Sequence, residues 1–231
     1  MRGDVREYVD AAQKAFDPEI LTVGFARRVA TYKRLQLLTS DPEWTARLLG
    51  GDRPVQVVLA GKAHPRDEEA KRVLQRLFGL KQAKIVGSRV VFLDDYDLAT
   101  AAWLVRGCDV WLNVPRPPLE ASGTSGMKSV INGGLQLSVL DGWWAEGFDG
   151  KNGWALSGGV DDDHLAQDER DAEALHETMD EEVVPAFYTR DKQGLPTAWL
   201  TRIRESLKTL APRFSATRML SEYLSGPYRG A

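Results

Sequence analysis

The chemistry in this chain is most concentrated in "LEASGTSGMKSVINGG", residues 119–134. An acid (Glu120), a loop rich in hydroxyls and glycine, and an amine (Lys128) fall within ten residues. Lys128 stands among small residues, beside apolar Met127 and Val130. A lysine held in an apolar setting loses its proton more readily than one in water and can form a Schiff base with an aldehyde. The stretch "SGTSG" ahead of it would place hydroxyls and backbone amides at a helix N-terminus, which is an anion cradle. The spacing is not that of a phosphate-binding P-loop, because Lys128–Ser129 follows Met127 rather than the required glycine. Amine and cradle together suit pyridoxal 5'-phosphate, one for its aldehyde and the other for its phosphate. An ordinary glycine-rich turn with a helix cap is the plainer alternative.

A second set lies in "GFARRVATYKR", Gly24 to Arg34, where Arg27, Arg28, Lys33 and Arg34 put four cations in eight residues. Two would flank a turn and two would lie in the first turns of a helix. A helix start is already electropositive, so cations there cost energy unless an anion sits among them. Guanidinium forks and a lysine suit a phosphate; a solvated basic helix end is the alternative. Smaller groups are Lys62 and His64 in "AGKAHP", Asp94, Asp95 and Tyr96 in "LDDYD", and Trp143 and Trp144 in "LDGWW". The two tryptophans suit a core as well as they suit a sugar-stacking platform. Asp161–Asp163 with His164 lack the convergent spacing of a metal site, and no metal is expected.

These residues need elements to hold them. Strands are expected at 19–26, 55–61, 89–96, 109–115 and 135–142, and helices at 4–16, 30–39, 65–79, 97–108 and 122–132. Short apolar runs alternating with amphipathic helices predict a parallel sheet covered on both faces, an α/β fold. Ligands in such sheets bind beyond the carboxyl ends of the strands, where each of the groups above falls. After Gly142 the pattern breaks into an aromatic, glycine-rich stretch, then an acidic segment (161–182) and further helices. The expected division is a PLP- and phosphate-binding domain over 1–160 with a helical extension of the same domain over 161–231.

Composition sets the outer bounds. The 231 residues are 43% hydrophobic and 27% charged, which is ordinary for a soluble globular protein. A net charge of −3 argues against a general attraction to nucleic acid or anionic membrane, and neither is expected as a partner. The apolar runs are short, and "MRGDVREYVD" has no apolar signal core, so a cytoplasmic protein is expected. The single cysteine, Cys108, lies in an apolar segment and reads as a core residue.

"EASGTSGMKSVINGGLQLSVLDGWW" closely resembles the pyridoxal-phosphate segment of the α-glucan (glycogen and maltodextrin) phosphorylases, most of all the shorter bacterial branch with Ser-Gly-Met-Lys at this point. The longer branch has Gly-Asn-Met-Lys, from which Ser125 and Gly126 depart. "GFARRVATYKR", "AGKAHPRDEEAK" and "FLDDYD" resemble further family blocks, in the family's order. The resemblance implies a doubly wound, Rossmann-like parallel sheet with C-terminal helices, the C-terminal half of a two-domain GT-B glycosyltransferase fold. It implies reversible, retaining phosphorolysis of α-1,4-glucan by orthophosphate to α-glucose 1-phosphate, with pyridoxal 5'-phosphate as cofactor. Lys128 would be the Schiff-base lysine. Thr124, Ser125 and Gly126 would lie at the cofactor, with Arg27 and Tyr96 nearby. Arg28 and Lys33 would act on the substrate phosphate, and Glu120, Ser122 and Gly123 would bind glucose hydroxyls.

Two phosphates pressed together in a closed site repel strongly, which is why such a site needs clustered cations. The family's N-terminal half has no counterpart in this sequence. It is therefore expected as a missing structural partner, with exposed apolar surface where it would dock and little or no turnover by this chain alone. Two other readings stay open: a nucleotide-sugar glycosyltransferase of the same fold, against which the amine of Lys128 argues, and a non-catalytic binding module descended from a phosphorylase.

Overall fold

The computed structural model describes residues 16–27, 29–81, 89–93, 96–156 and 159–229. Its centre is a six-stranded parallel sheet: β1 (Leu21–Ala26), β2 (Val55–Ala60), β3 (Val90–Leu93), β4 (Val110–Asn113), β5 (Leu135–Val139) and β6 (Gly153–Leu156). Their spatial order is β3-β2-β1-β4-β5-β6. This is the doubly wound α/β architecture that the alternating pattern predicts. Every residue of β1, β2, β4 and β5 is buried, because a sheet built from crossover connections is covered on both faces.

The helices among the described residues are α1 (Pro42–Gly50), α2 (Glu68–Lys81), α3 (Leu98–Gly107), α4 (Thr124–Val130), α5 (Trp143–Gly147), α6 (His164–Thr178), α7 (Val184–Tyr188), α8 (Thr197–Arg213) and α9 (Ala216–Ser225). Side-chain caps start several of them. Asp41 accepts from the amides of Glu43 and Trp44 at α1, with Pro42 in the first position. Asp97 accepts from Thr100 at α3, and Asp163 from Leu165 and Ala166 at α6. A π-helical turn, Met179–Val183, joins α6 to α7 just ahead of Pro185, whose ring nitrogen has no hydrogen to give a regular helix.

Residues of α6 to α8 and the π turn (Leu175, Met179, Val183, Val184 and Trp199) share one apolar core with strand residues Leu21, Val57, Leu112 and Leu137. On the other face Cys108 packs against Trp111 and Val58. A side-chain carbon on Gly24 would stand 2.5 Å from Cys108 Sγ, so the end of α3 lies directly on β1. Burial, with a further push from Asp109, raises the Cys108 thiol to about 12, which leaves it a core residue as expected.

Three expectations change. The segment 30–39 is not an α-helix but two 3-10 turns, Thr31–Lys33 and Leu35–Thr39, broken by Arg34 at φ 49°. The aromatic stretch after Gly142 supplies a sixth strand and the short helix α5. The helix over 122–132 is shorter, starting only at Thr124 because Gly123 adopts φ 91°. The helix expected over 4–16 lies outside the described residues except for Phe16, which packs on the Trp111 side of the sheet. At the other end α9 buries none of its residues and exposes Met219, Leu220, Tyr223 and Leu224.

Candidate active site

The strand order reverses between β1 and β4, and the loops leaving those two strands meet at the sheet's carboxyl edge. The first carries Arg27. Its amide donates to Ala60 O (3.0 Å), and the following chain is tied to the end of β2 by Val29 N to Lys62 O (3.1 Å). Gly61 makes this approach possible: a Cβ there would stand 2.0 Å from the Arg27 carbonyl. The second loop is joined to the first 3-10 turn by Arg116 N to Tyr32 O (2.7 Å), which brings Lys33 alongside it.

At this junction Arg27, Lys33 and Glu120 come together. Each is less than a tenth exposed: 8%, 7% and 8%. Glu120 Oε2 accepts from Lys33 Nζ, and from Arg27 Nη1 at 3.4 Å. The other Arg27 arm, Nη2, donates to Ser125 Oγ at 3.2 Å, and Trp111 Nε1 donates to the same oxygen at 3.2 Å. With both acceptor positions used, the Ser125 hydroxyl hydrogen is directed elsewhere. Arg27 Nε is buried and finds no acceptor among the described residues. Burial pushes the Arg27 guanidinium below its ordinary pKa, against the opposing pull of Glu120, Tyr32 and Tyr96. Among the described residues, two buried cations against one carboxylate leave an excess of positive charge, which suits an anion.

Supporting residues fix these groups. The Glu120 amide donates to Asp141 Oδ2 (2.9 Å), and Trp143 N donates to Ser122 O (2.8 Å), so the turn after β5 holds the loop that carries Glu120. Lys33 Nζ lies 4.5 Å from the centre of the Tyr32 ring. Asp141, Trp111 and Tyr32 were not singled out by sequence reasoning. Asp141 had a signal, since an Asp before Gly commonly forms a side-chain-to-backbone turn.

The other predicted residues fall as follows. Tyr96 is partly buried; burial raises its hydroxyl pKa, and the charge of Arg27 opposes this. Gly123 lies beside Glu120 Oε1, and Gly126 sits under Gln136 and Trp143: a Cβ on Gly126 would stand 2.5 Å from Gln136 Oε1. A larger residue there would require the Gln136 side chain to shift. Ser122 and Thr124 are exposed. Lys62 and His64 are exposed at the end of β2. Arg28, Asp94 and Asp95 lie outside the described residues.

Two placements correct the sequence reading. Lys128 is in the second turn of α4, and it is exposed rather than held in an apolar setting; its ammonium makes no ion pair or hydrogen bond among the described residues. The reason is local: the inward face of α4 carries Gly126, Ser129 and Val130, which leaves Lys128 on the outer side. Ser125 and Lys128 are three residues apart on that helix and so share one face. Arg34, the fourth cation of its cluster, is fully buried and turned away from the other two. Its Nε and Nη2 donate to Val114 O (3.0 Å) and Pro115 O (2.8 Å), and Nη1 pairs with Asp171 (2.6 Å) and Asp168 (3.1 Å) of α6. It is a structural clamp. Of the acids 161–163, Asp163 is likewise engaged as the α6 cap and Asp161 with Arg170 at 2.6 Å.

The chain was compared with known proteins. Residues 8–149 match the family described as carbohydrate phosphorylase. The glycogen phosphorylase of Aquifex aeolicus (strain VF5) is 46% identical over 216 residues, which are 92% of this chain and 30% of that protein. The glycogen phosphorylase of Mycobacterium tuberculosis (strain ATCC 25618 / H37Rv) is 47% identical over 220 residues, 94% of this chain and 25% of that protein. The maltodextrin phosphorylase of Thermococcus litoralis is 43% identical over 217 residues, 93% and 26% respectively. The chain thus spans less than a third of the length of these curated relatives. With more than half of its residues matching the family, and with the doubly wound sheet described above, the chain belongs to the carbohydrate phosphorylases.

Proposed function

We propose that this chain is the C-terminal, cofactor-binding catalytic domain of an α-1,4-glucan phosphorylase, a retaining glycosyltransferase that moves glucose reversibly between glucan and orthophosphate. The observation that carries the reading is the buried set of Arg27, Lys33 and Glu120 at the switch point of the sheet, with its excess of positive charge.

The residues present fit pyridoxal 5'-phosphate. Arg27, with an unpartnered buried Nε, and Ser125, with its hydroxyl hydrogen to give, suit the phosphate group. Thr124 opens the same helix, Gly126 keeps its inner side narrow, and Tyr96 lies within electrostatic reach of Arg27. Lys128 shares a helix face with Ser125, which suits attachment of the aldehyde end. When bound, the cofactor would supply a phosphate able to exchange a proton with the substrate phosphate. The chain's own groups do the rest. Lys33 and Arg28 hold the substrate phosphate, Glu120, Ser122 and Gly123 receive glucose hydroxyls, and the fixed cations stabilise charge separation as the glycosidic bond breaks.

Turnover is proposed for this chain only together with the remaining length that its relatives carry. The apolar stripe that α9 exposes among the described residues supports that, since such a face suits a covering partner surface. The domain division at residue 160 is kept as a proposal, with 161–231 as an extension of the same domain. Among the described residues no helix is long and apolar enough to cross a membrane. The exposure of Lys128 leaves the nucleotide-sugar alternative standing as the second reading.

The test is chemical. Pyridoxal 5'-phosphate is added to the purified chain, followed by borohydride, and the label is mapped by mass spectrometry. The reading expects one labelled site at Lys128, lost in Lys128→Ala and weakened in Arg27→Met. Labelling scattered over surface lysines, equal in the Arg27→Met variant, would overturn it.

A further inference from the structure

Glu120 reads in two ways at once: as a receiver of glucose hydroxyls by resemblance, and as the ion-pair partner of the site's two cations by geometry. We propose that it is a resident anion, which holds Lys33 and Arg27 until a phosphate takes them and is then freed toward the sugar. The inference rests on the reading of this site as one for phosphate and glucose.

Three observations point to exchange rather than to a fixed structural pair. First, among the described residues one oxygen does all the pairing. Oε2 accepts from both Lys33 and Arg27, while Oε1 faces the loop glycine Gly123. The carboxylate therefore spans from the cations to the loop assigned to the sugar, and a rotation of its side chain carries it from one to the other. Second, the burden on it is high. Two cations less than a tenth exposed share one carboxylate, so a phosphate brought among them gains two charged donors at once. The same phosphate sets a second negative charge against Glu120 at close range in a poorly solvated place, which drives the carboxylate off the cations. Third, the backbone can stay put while the side chain moves. The Glu120 amide is anchored to Asp141 Oδ2 at 2.9 Å, and Gly123, at φ 91°, presents no side chain to obstruct the turn. Buried pairs built for stability differ: Arg34 uses every arm on fixed acceptors.

Exchange of this kind makes phosphate and sugar binding cooperative, and by linkage each raises the affinity of the other. It also means that Glu120 opposes phosphate binding when no sugar is present. That sign is unusual, because removing a supporting residue normally weakens a site.

The experiment is calorimetric titration of inorganic phosphate into the purified chain and into Glu120→Gln, with Glu120→Ser as a second carboxylate-free variant and circular dichroism to establish that each is folded. The proposal expects phosphate to bind the variants at least ~5-fold more tightly than the wild type, the low end of typical coupling between sites. Lys33→Met is run alongside and should lose phosphate binding. Equal or weaker binding by the Glu120 variants, with binding still lost in Lys33→Met, would overturn the exchange and leave the phosphate site intact. Phosphate binding that survives unchanged in Lys33→Met would overturn the site itself, and the exchange with it.

Discussion

Lys33 and Arg34 are neighbours in sequence and opposites in the fold. Both are buried and both pair with carboxylates from distant segments. Arg34 is saturated: two carbonyls at the end of β4 and two aspartates of α6 take its arms. Arg116 completes that cluster through Gln167 (2.8 Å), Asp168 (2.7 Å) and His164 O (3.2 Å). Lys33 instead shares a single carboxylate with Arg27, whose Nε has no acceptor among the described residues. Burial and charge are common to the two clusters, so neither marks a site. What differs is the guanidinium: every arm of Arg34 reaches a fixed acceptor and holds the chain together, while Arg27 has a donor to spare and suits an incoming acceptor.

The comparison can be broken by substitution. The largest effect is expected from Arg34→Ala, which strands Asp171, leaves Asp168 to Arg116 alone and removes the clamp between α6 and β4. It should cost about 3–5 kcal/mol, read by urea denaturation. Next is Gly61→Ala, whose new methyl would press on the Arg27 carbonyl; overpacking against backbone should cost roughly 1–3 kcal/mol and weaken phosphate binding as Arg27 shifts. Lys33→Met should cost less than the ~3–5 kcal/mol of a broken buried pair, because Arg27 still holds Glu120, while phosphate binding is lost. A stability loss for Lys33→Met as large as that for Arg34→Ala would erase the distinction.

The smallest effect concerns His176, which stacks on Trp44 at 3.8 Å and donates from Nε2 to Leu37 O at 3.2 Å, beside the segment that follows Arg34. Burial lowers its pKa below the ordinary 6.5. The unfolded chain therefore takes up a proton first as pH falls. The contribution of His176 to stability is complete above pH 6.5 and declines below it, and melting curves of His176→Gln should lack that acid-side slope.

Much of the sheet was legible because its strands are short apolar runs rich in branched residues, and these carry the same message in any α/β fold. β6 was not, since "GWAL" is brief and lies among glycines. "ATYKRLQLLT" has the propensities of a helix, yet Arg34 is drawn into a left-handed conformation by carbonyls 80 and 81 residues away and aspartates still further along the chain. Local preference cannot report such a constraint. The site was legible in its residue types and order. That Arg34 serves the fold depends on α6, and the exposure of Lys128 depends on which face of α4 is turned inward.

The central claim is that Arg27 and Lys33 form an anion site while Arg34 does not. Thermal melting of the wild type, Lys33→Met and Arg34→Lys, each with and without inorganic phosphate, tests it directly. Phosphate should raise the melting temperature of the wild type, and of Arg34→Lys from a lower starting point, and leave Lys33→Met unmoved. An equal phosphate shift in Lys33→Met, or one lost only in Arg34→Lys, would contradict the account.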